Sequence, residues 1–465
     1  MRILIAIAHH GTKNRVYLDR MLDAIRGMSF EVHVVILSEA EKDLPADVEI
    51  RVGLPSKDPW SLPFAHRALF DERQDDYDLF VYSEDDTLIE ERHLRTFLDL
   101  CSLLPEDHLP GSLRFELHPD GSPSYCSIHS HYRFDPTSVQ RFGEIDVVRF
   151  SNDHAAWYAI TQDQLKRAIR SGGFLVAPHR GWYDMLVSAA TDIFTRCGFT
   201  RVLCLDRIDD LLVHHMPNVY LDRFGIDDAS FRTQMETLKR IARHELQPRQ
   251  ILDPVTRLDS SWNRHSYPGR PAAIAQMVPE RGSRVLTIGA SSGDPELALV
   301  AAGADVTCLP VDTVLAEVQR LRGLSVLEPD LEVLSDPAWR EHFDLVLLLD
   351  VLPYLPNPVH ALDLIRPALA RDGQALITCP DHRRYVWREH LSPSGRRAPI
   401  PRSFARDGIH HVDPPSLRRW VELAGFSINR LEHRSATRGD PFGLGGWAGA
   451  IKGNSLAVWA HLRAN

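Results

Sequence analysis

Short apolar runs alternate with amphipathic stretches twice along this chain, and a proline-rich break parts the two series. Strands separated by helical patterns build parallel α/β sheets, so this rhythm predicts two such domains. In the first series Ile3–Ala8, Glu31–Leu37 and Asp78–Tyr82 read as strands, with Val16–Ile25 and Pro63–Phe70 as helices. Between Pro105 and Arg149 the chain is rich in Pro, Gly, Ser and His, and reads as long loops with short strands, a place for an acceptor site. Regular pattern returns over Ala155–Ala168, and another helix follows Trp182. A polar helical stretch covers Asp227–Leu246, and Pro248, Pro254, Pro268 and Gly269 come after it. The rhythm restarts at Arg284, with Val285–Ile288, Asp305–Leu309, Leu331–Leu334, Phe343–Leu349 and Gln374–Cys379 as strands. Domains at 1–245 and 276–465, joined by a linker at 246–275, are expected.

The 465 residues give room for two cores. A hydrophobic fraction of 44% and a charged fraction of 25% are ordinary for a soluble globular chain. The net charge of −10 comes without a long block of one sign, so no nucleic-acid partner is expected. None of the six cysteines forms a Cys-x-x-Cys pair, and a reducing compartment is the simplest setting. The apolar start is too short for a signal peptide, and no run approaches the roughly 18 apolar residues of a spanning helix. The expected location is cytoplasmic.

Chemistry gathers first at Asp78-Leu79-Phe80-Val81-Tyr82-Ser83-Glu84-Asp85-Asp86, an apolar strand running into three carboxylates. Ligands of open α/β sheets bind outside the carboxyl ends of strands, which is where this cluster falls. Hard oxygen ligands suit Mg²⁺ or Mn²⁺ shared with a diphosphate; a solvated acidic turn is the plainer alternative. The strand-then-acid arrangement resembles the Asp-x-Asp type motif of GT-A fold glycosyltransferases, in a Glu-Asp-Asp variant. Ala155-Ala156-Trp157-Tyr158-Ala159-Ile160-Thr161 resembles the acceptor-side segment of that fold, and Gly181-Trp182-Tyr183-Asp184-Met185 follows it. The resemblance implies Asp184 as the base that deprotonates an acceptor hydroxyl; otherwise Asp184 is an acid at a helix start. It also implies a distal histidine as metal ligand, which Leu211-Leu212-Val213-His214-His215-Met216 supplies, His215 ahead of His214. Asp85 and Asp86 complete the expected metal set. Strand-end position and resemblance assign His9, Arg15, Ser38, Glu39, Arg67, Glu84 and Asp85 to the nucleotide sugar. His66 lies beside Arg67 on the same predicted helix. The resemblance covers roughly residues 1–225.

In the second series, Arg284-Val285-Leu286-Thr287-Ile288-Gly289-Ala290-Ser291-Ser292-Gly293 is a strand followed by a small-residue loop, which lets backbone amides approach a ligand. His342-Phe343-Asp344-Leu345-Val346-Leu347-Leu348-Leu349-Asp350-Val351-Leu352-Pro353 resembles the fourth-strand motif of class I S-adenosylmethionine-dependent methyltransferases. Ala361–Cys379 and His410-His411-Val412-Asp413 resemble the segments that follow it there, so the resemblance covers about 275–465 and implies a Rossmann-like domain. Gly289, Ser291, Gly293, Asp312, Asp336 and Asp350 are the residues it assigns to S-adenosylmethionine. Three positions depart from the family. Thr287 stands where an acid is usual, Ser291 where glycine is usual, and Pro310 where an acid binds the ribose, with Asp312 two places on. Losing that ribose contact costs on the order of 1–3 kcal/mol. His410-His411 reads either as a base or as a loop pair ahead of a helix starting at Asp413-Pro414-Pro415-Ser416.

The combined expectation is a metal-dependent glycosyltransferase taking a nucleotide-sugar donor and a glycan acceptor, fused to a methyltransferase that methylates a sugar hydroxyl. Two alternatives stand beside it: one active half with the methyltransferase-like half a scaffold, and a glycan-binding protein without catalysis.

Overall fold

The computed structural model describes residues 1–128, 132–180, 183–221, 223, 225–252, 281–290, 293–382, 403–434 and 455–462. The chain divides into two compact units, Met1–His129 with Arg133–Asp228, and Ser130–Tyr132 with Ala229–Asn465. The division falls at Asp228, ahead of the 245 expected, so nearly all of the helix Asp228–Ala242 goes with the second unit. Of the expected linker, residues 246–252 are described and 253–275 lie outside the described residues.

In the first unit β1 (Arg2–Ala8) lies parallel between β2 (Glu31–Ser38) and β4 (Leu79–Glu84), and β2 carries β3 (Glu49–Val52) on its outer side. β11 (Trp157–Thr161) closes the other edge antiparallel to β4, giving the order β11-β4-β1-β2-β3. Ile3 through Ala8 are all buried, as befits a strand covered on both faces. Helix α1 (Arg15–Arg26) covers one face through Leu18, Met21, Leu22 and Ile25, a helical spacing of apolar residues. The chain leaves β1 for β2 and β3 on one side and returns on the other side at β4. The crevice between the ends of β1 and β4 is therefore the topological switch point.

The stretch expected as loops with short strands does hold strands: β6 (His108–Pro110), β9 (Phe134–Phe142) and β10 (Ile145–Phe150) join β12 (Thr200–Cys204) in a sheet of order β6-β12-β10-β9. β5 (Thr87–Leu88), β7 (Leu113–Leu117), β8 (Pro123–Ser124) and β13 (Leu212–His215) form a small sheet in the order β5-β13-β7-β8. β13 runs antiparallel to β5, with His215 opposite Thr87, and parallel to β7, with His214 opposite Phe115. This small sheet brings the distal histidines beside the acidic turn that separates β4 from β5.

The second unit has one sheet in the order β16-β15-β14-β17-β18-β20-β19. These strands are β14 (Arg284–Ala290), β15 (Asp305–Pro310), β16 (Ser325–Val326), β17 (Phe343–Leu349), β18 (Leu369–Pro380), β19 (Phe426–Arg434) and β20 (Ser455–Leu462). All neighbours are parallel except β20, which is antiparallel to both β18 and β19. Its switch point lies between β14 and β17. Leu286 and Ile288 join one core cluster and Val285 another, because alternate residues face opposite sides. Leu331–Leu334, expected as a strand, is a 3₁₀ turn over Leu331–Ser335; Ser325–Val326 takes the edge instead. The reason is local: the Asp330 side chain accepts the Glu332 amide and starts a helical turn. Residues 247–251 pack along the segment after β15. Gln250 bridges Asp312, the Ile251 amide donates to Val311 O at 2.9 Å, and the Thr313 amide donates to Arg249 O at 3.0 Å.

Candidate functional site

Two loops meet at the first unit's switch point. The loop after β1 sends His9 across to the turn after β4, where His9 Nδ1 lies 2.6 Å from Asp85 Oδ2. Asn14, at the start of α1, donates to Asp85 Oδ1 at 2.8 Å and to Asp86 Oδ2 at 3.4 Å. Asp85 is thus held at both oxygens, and its side chain turns toward β1. Asp86 lies between the two sides: the Oδ2 that Asn14 reaches is also 3.6 Å from His215 Nε2. The other oxygen, Asp86 Oδ1, is buried with no hydrogen-bond partner. His215 Nδ1 contacts Glu116 Oε1 at 2.6 Å, and the second Glu116 oxygen accepts the Tyr220 amide at 2.8 Å.

The charges follow from this crowding. Burial alone would lower the pKa of His215, but the nearby carboxylates of Asp86 and Glu116 outweigh that and raise it to about 9. Burial first, then the neighbouring Asp86 charge, raise the Glu84 carboxyl, with Arg114 and His215 opposing. Arg114 itself is buried. It donates from Nη2 to His154 Nδ1 at 3.0 Å, and its Nε has no partner.

His9, Glu84, Asp85, Asp86 and His215 come together. His214 lies alongside, with Nε2 3.2 Å from Asn218 Oδ1 and its ring stacked on Phe115. Glu39 accepts the Gly11 amide at 3.0 Å, while Lys42 bonds both Glu39 and Gly11 O, so the pair pins the loop after β1. Partial burial opposes but Lys42 and these amides prevail, lowering the Glu39 carboxyl to about 2. Ser38 is buried and donates to Ala40 O. Gly11 has φ 66, a left-handed turn that suits glycine.

Other expected residues are engaged elsewhere. Arg67, assigned above to the nucleotide, is corrected: its guanidinium is buried and bonds Phe174 O, Ser188 O, Ala189 O and Asp192, tying the C-terminal part of the unit together. His66 is buried beside it, between Pro63 O and the Tyr158 hydroxyl, and burial pushes its pKa well down. Arg15 bonds Asp19 and Asp43 O at the surface of α1. Asp184 caps the helix Met185–Thr195 by accepting the Val187 amide at 3.0 Å. Gly181 and Trp182 lie outside the described residues.

Asn14, Arg114 and Glu116 were missed. Arg114 and Glu116 alternate in Leu113-Arg114-Phe115-Glu116-Leu117, the period-two signal of a strand with one polar face. Among the described residues no group of three His, Cys, Asp or Glu side chains is arranged to hold a metal ion.

In the second unit Gly289 (φ 82) and Gly293 (φ 86) turn the chain after β14. Gly293 opens the helix Asp294–Ala301, and a Cβ there would meet Leu324 Cδ1 at 2.9 Å. Ser291 lies outside the described residues. Asp350 follows β17 with φ 59, and its amide donates to Thr378 O at 2.9 Å. Asp312, assigned above to S-adenosylmethionine, is fully buried, and its Oδ1 accepts the Leu315 amide at 2.9 Å as the cap of the helix Thr313–Leu321. Asp336, assigned to the cofactor, is exposed and caps the 3₁₀ turn Pro337–Trp339. Thr287 Oγ1 and both carboxyl oxygens of Glu296 are buried without a hydrogen-bond partner. Burial, opposed by weaker local contacts, raises Glu296 to about 7. His410 Nε2 lies 3.1 Å from Leu355 O, its ring stacked on Phe404, and Asp413 caps the helix Pro414–Leu423.

Residues 263–431, within the second unit, match the family model described as a methyltransferase domain. No curated protein matches the chain. Among solved structures, an S-adenosylmethionine-dependent methyltransferase from Mesorhizobium loti is similar, at 22% identity over 40% of this chain and 95% of its own, with TM-score 0.32. A TehB-like methyltransferase from Corynebacterium glutamicum is 19% identical over 42% of this chain and 87% of its own, with TM-score 0.29. The [4+2]-cyclase SpnF is 19% identical over 46% of this chain and 88% of its own, with TM-score 0.31. The second unit is thus a Rossmann-like methyltransferase domain within a mixed α/β chain. No helix among the described residues is long and apolar enough to cross a membrane.

Proposed function

We propose that the protein is a two-site transferase of glycan synthesis: the first unit transfers a sugar from a nucleotide-sugar donor with Mn²⁺ or Mg²⁺, and the second methylates a sugar hydroxyl with S-adenosylmethionine. The observation that carries the first half is the meeting of Asp86 and His215 at the switch point, from positions far apart in the chain. Asp86 and His215 offer a cation a partial protein site, which substrate phosphates then complete. Small hard cations are held by one or two carboxylates plus substrate phosphates rather than by a full protein cage. Asp86 offers a buried oxygen without a partner, and His215 a nitrogen. When bound, the cation neutralises charge on the departing nucleoside diphosphate. His9 and Asn14 hold Asp85 still, and Arg114 adds fixed positive charge beside Glu84. Glu39 and Lys42 keep the loop after β1 in place for the nucleotide. Incubation with nucleotide sugars and Mn²⁺ tests this: donor hydrolysis is expected, and Asp86→Asn should abolish it. Full hydrolysis by that variant would remove the proposal.

For the second unit, the Gly289 and Gly293 turn and Asp350 at the switch point fit the cofactor, which supplies an electrophilic methyl group when bound. A second reading, with this unit a binding scaffold, is favoured by Asp312, which is occupied as a helix cap and buried under residues 247–251. Calorimetric titration with S-adenosylmethionine separates the two: micromolar binding supports methyl transfer, and silence up to millimolar supports the scaffold.

A further inference from the structure

The buried carboxylate of Glu116 has no place in the reading above, yet it touches the histidine on which that reading depends. Glu116 is fully buried, and each of its oxygens is used: one by His215 Nδ1 at 2.6 Å, the other by the Tyr220 amide at 2.8 Å. The parallel register of β7 and β13 puts the two residues side by side, one place beyond the pair Phe115 and His214. The His215 ring is also stacked on Tyr220, with centroids 5.2 Å apart and planes 19° apart. The ring is fixed in position by one contact and in plane by the other, which leaves Nε2 as the nitrogen facing Asp86. The 3.6 Å between Nε2 and Asp86 Oδ2 is too long for a hydrogen bond, so that edge of the ring is not consumed by its neighbour.

We propose that Glu116 is a positioning residue that holds His215 through Nδ1, so that Nε2 is presented together with Asp86 to a divalent cation. A carboxylate on the far nitrogen fixes the tautomer of a ligating imidazole, orients it and raises its basicity. The inference rests on the cation reading of this site. A carboxylate present only to neutralise a buried histidine would not need the second anchor on the Tyr220 amide, which stops it from rotating.

The test uses the full chain and Mn²⁺ alone, followed by electron paramagnetic resonance. Wild type should bind Mn²⁺ and show modulation from a directly coordinated imidazole nitrogen, and His215→Gln should lose that signature. Glu116→Gln leaves Nδ1 a neutral acceptor. It should weaken Mn²⁺ binding by about 10–100-fold and change the nitrogen coupling, while circular dichroism stays that of wild type. If Glu116→Gln does not fold, Glu116→Asp replaces it; with its charge kept and its reach shortened, it should show a smaller loss and an altered coupling. Wild-type affinity and coupling in a folded Glu116 variant, with His215→Gln losing both, would overturn the positioning role and leave the cation reading standing. Wild type without nitrogen-coupled Mn²⁺ would overturn both.

Discussion

Arg67 and Asp192 form a pair whose side chains are 3% and 5% exposed, and this burial decides what a substitution there does. Removing one member of a buried pair strands the other, at about 3–5 kcal/mol. Arg67→Met should therefore lower the unfolding free energy of the first unit, read from urea titration, by about that amount, with donor hydrolysis falling only as the folded fraction falls. Weaker donor binding at unchanged stability would return Arg67 to the nucleotide. Glu296 makes the opposite case, a carboxyl whose burial outweighs its local contacts. Its pKa in the folded chain is raised to about 7 from 4.5, so the folded state keeps a proton that the unfolded chain has lost. Its contribution is most favourable below the unfolded value and declines as pH rises toward 7, by at most about 3 kcal/mol. Glu296→Gln should flatten the pH dependence of melting of the second unit between roughly pH 5 and 8. An unchanged slope would mean that burial does not hold the proton on this carboxyl.

At the level of elements, the strip 247–251 is held to the second unit's sheet by side chain as well as backbone. The Thr313 hydroxyl donates to Gln247 O at 3.0 Å and accepts the Arg249 amide at 2.9 Å. Thr313→Val leaves that amide unsatisfied, a cost of about 1–3 kcal/mol. Faster tryptic cleavage after Arg249 is the expected result, and cleavage at the wild-type rate would show that the strip is held elsewhere. The same strip shows where sequence reading stops. Pro248 and Pro254 made it look like a linker, because proline marks breaks but does not say what the broken chain rests on. Buried strands such as Ile3–Ala8 were legible from their continuous apolar runs, and the strand-end acids from their position. Glu116 was not, because its contact with His215 spans 99 residues and exists only once β7 and β13 pair. That Arg67 and Asp312 are engaged within the fold was not legible for a related reason: a charged residue near a strand end reads the same whether it meets a ligand or closes its own scaffold.

Across the whole molecule, the five-stranded and seven-stranded sheets each have their own switch point, and each should answer to its own ligand. Scanning calorimetry should resolve two transitions, with S-adenosylmethionine raising only that of the second unit. A ligand at a hundred times its dissociation constant stabilises by about 2.7 kcal/mol, enough to see. A joint shift of both transitions would mean that the units melt as one. The strip at 247–251 has a last consequence, for how such a protein is assembled by gene fusion. The family match starts at 263, but the hydrogen bonds beside β15 start before it, and Arg240 reaches Glu317 at 3.1 Å. The seam along which this module can be exchanged between proteins therefore lies near 229, upstream of the segment that identifies it. A transplant begun at 263 would leave behind the backbone that covers the cap of the helix Thr313–Leu321.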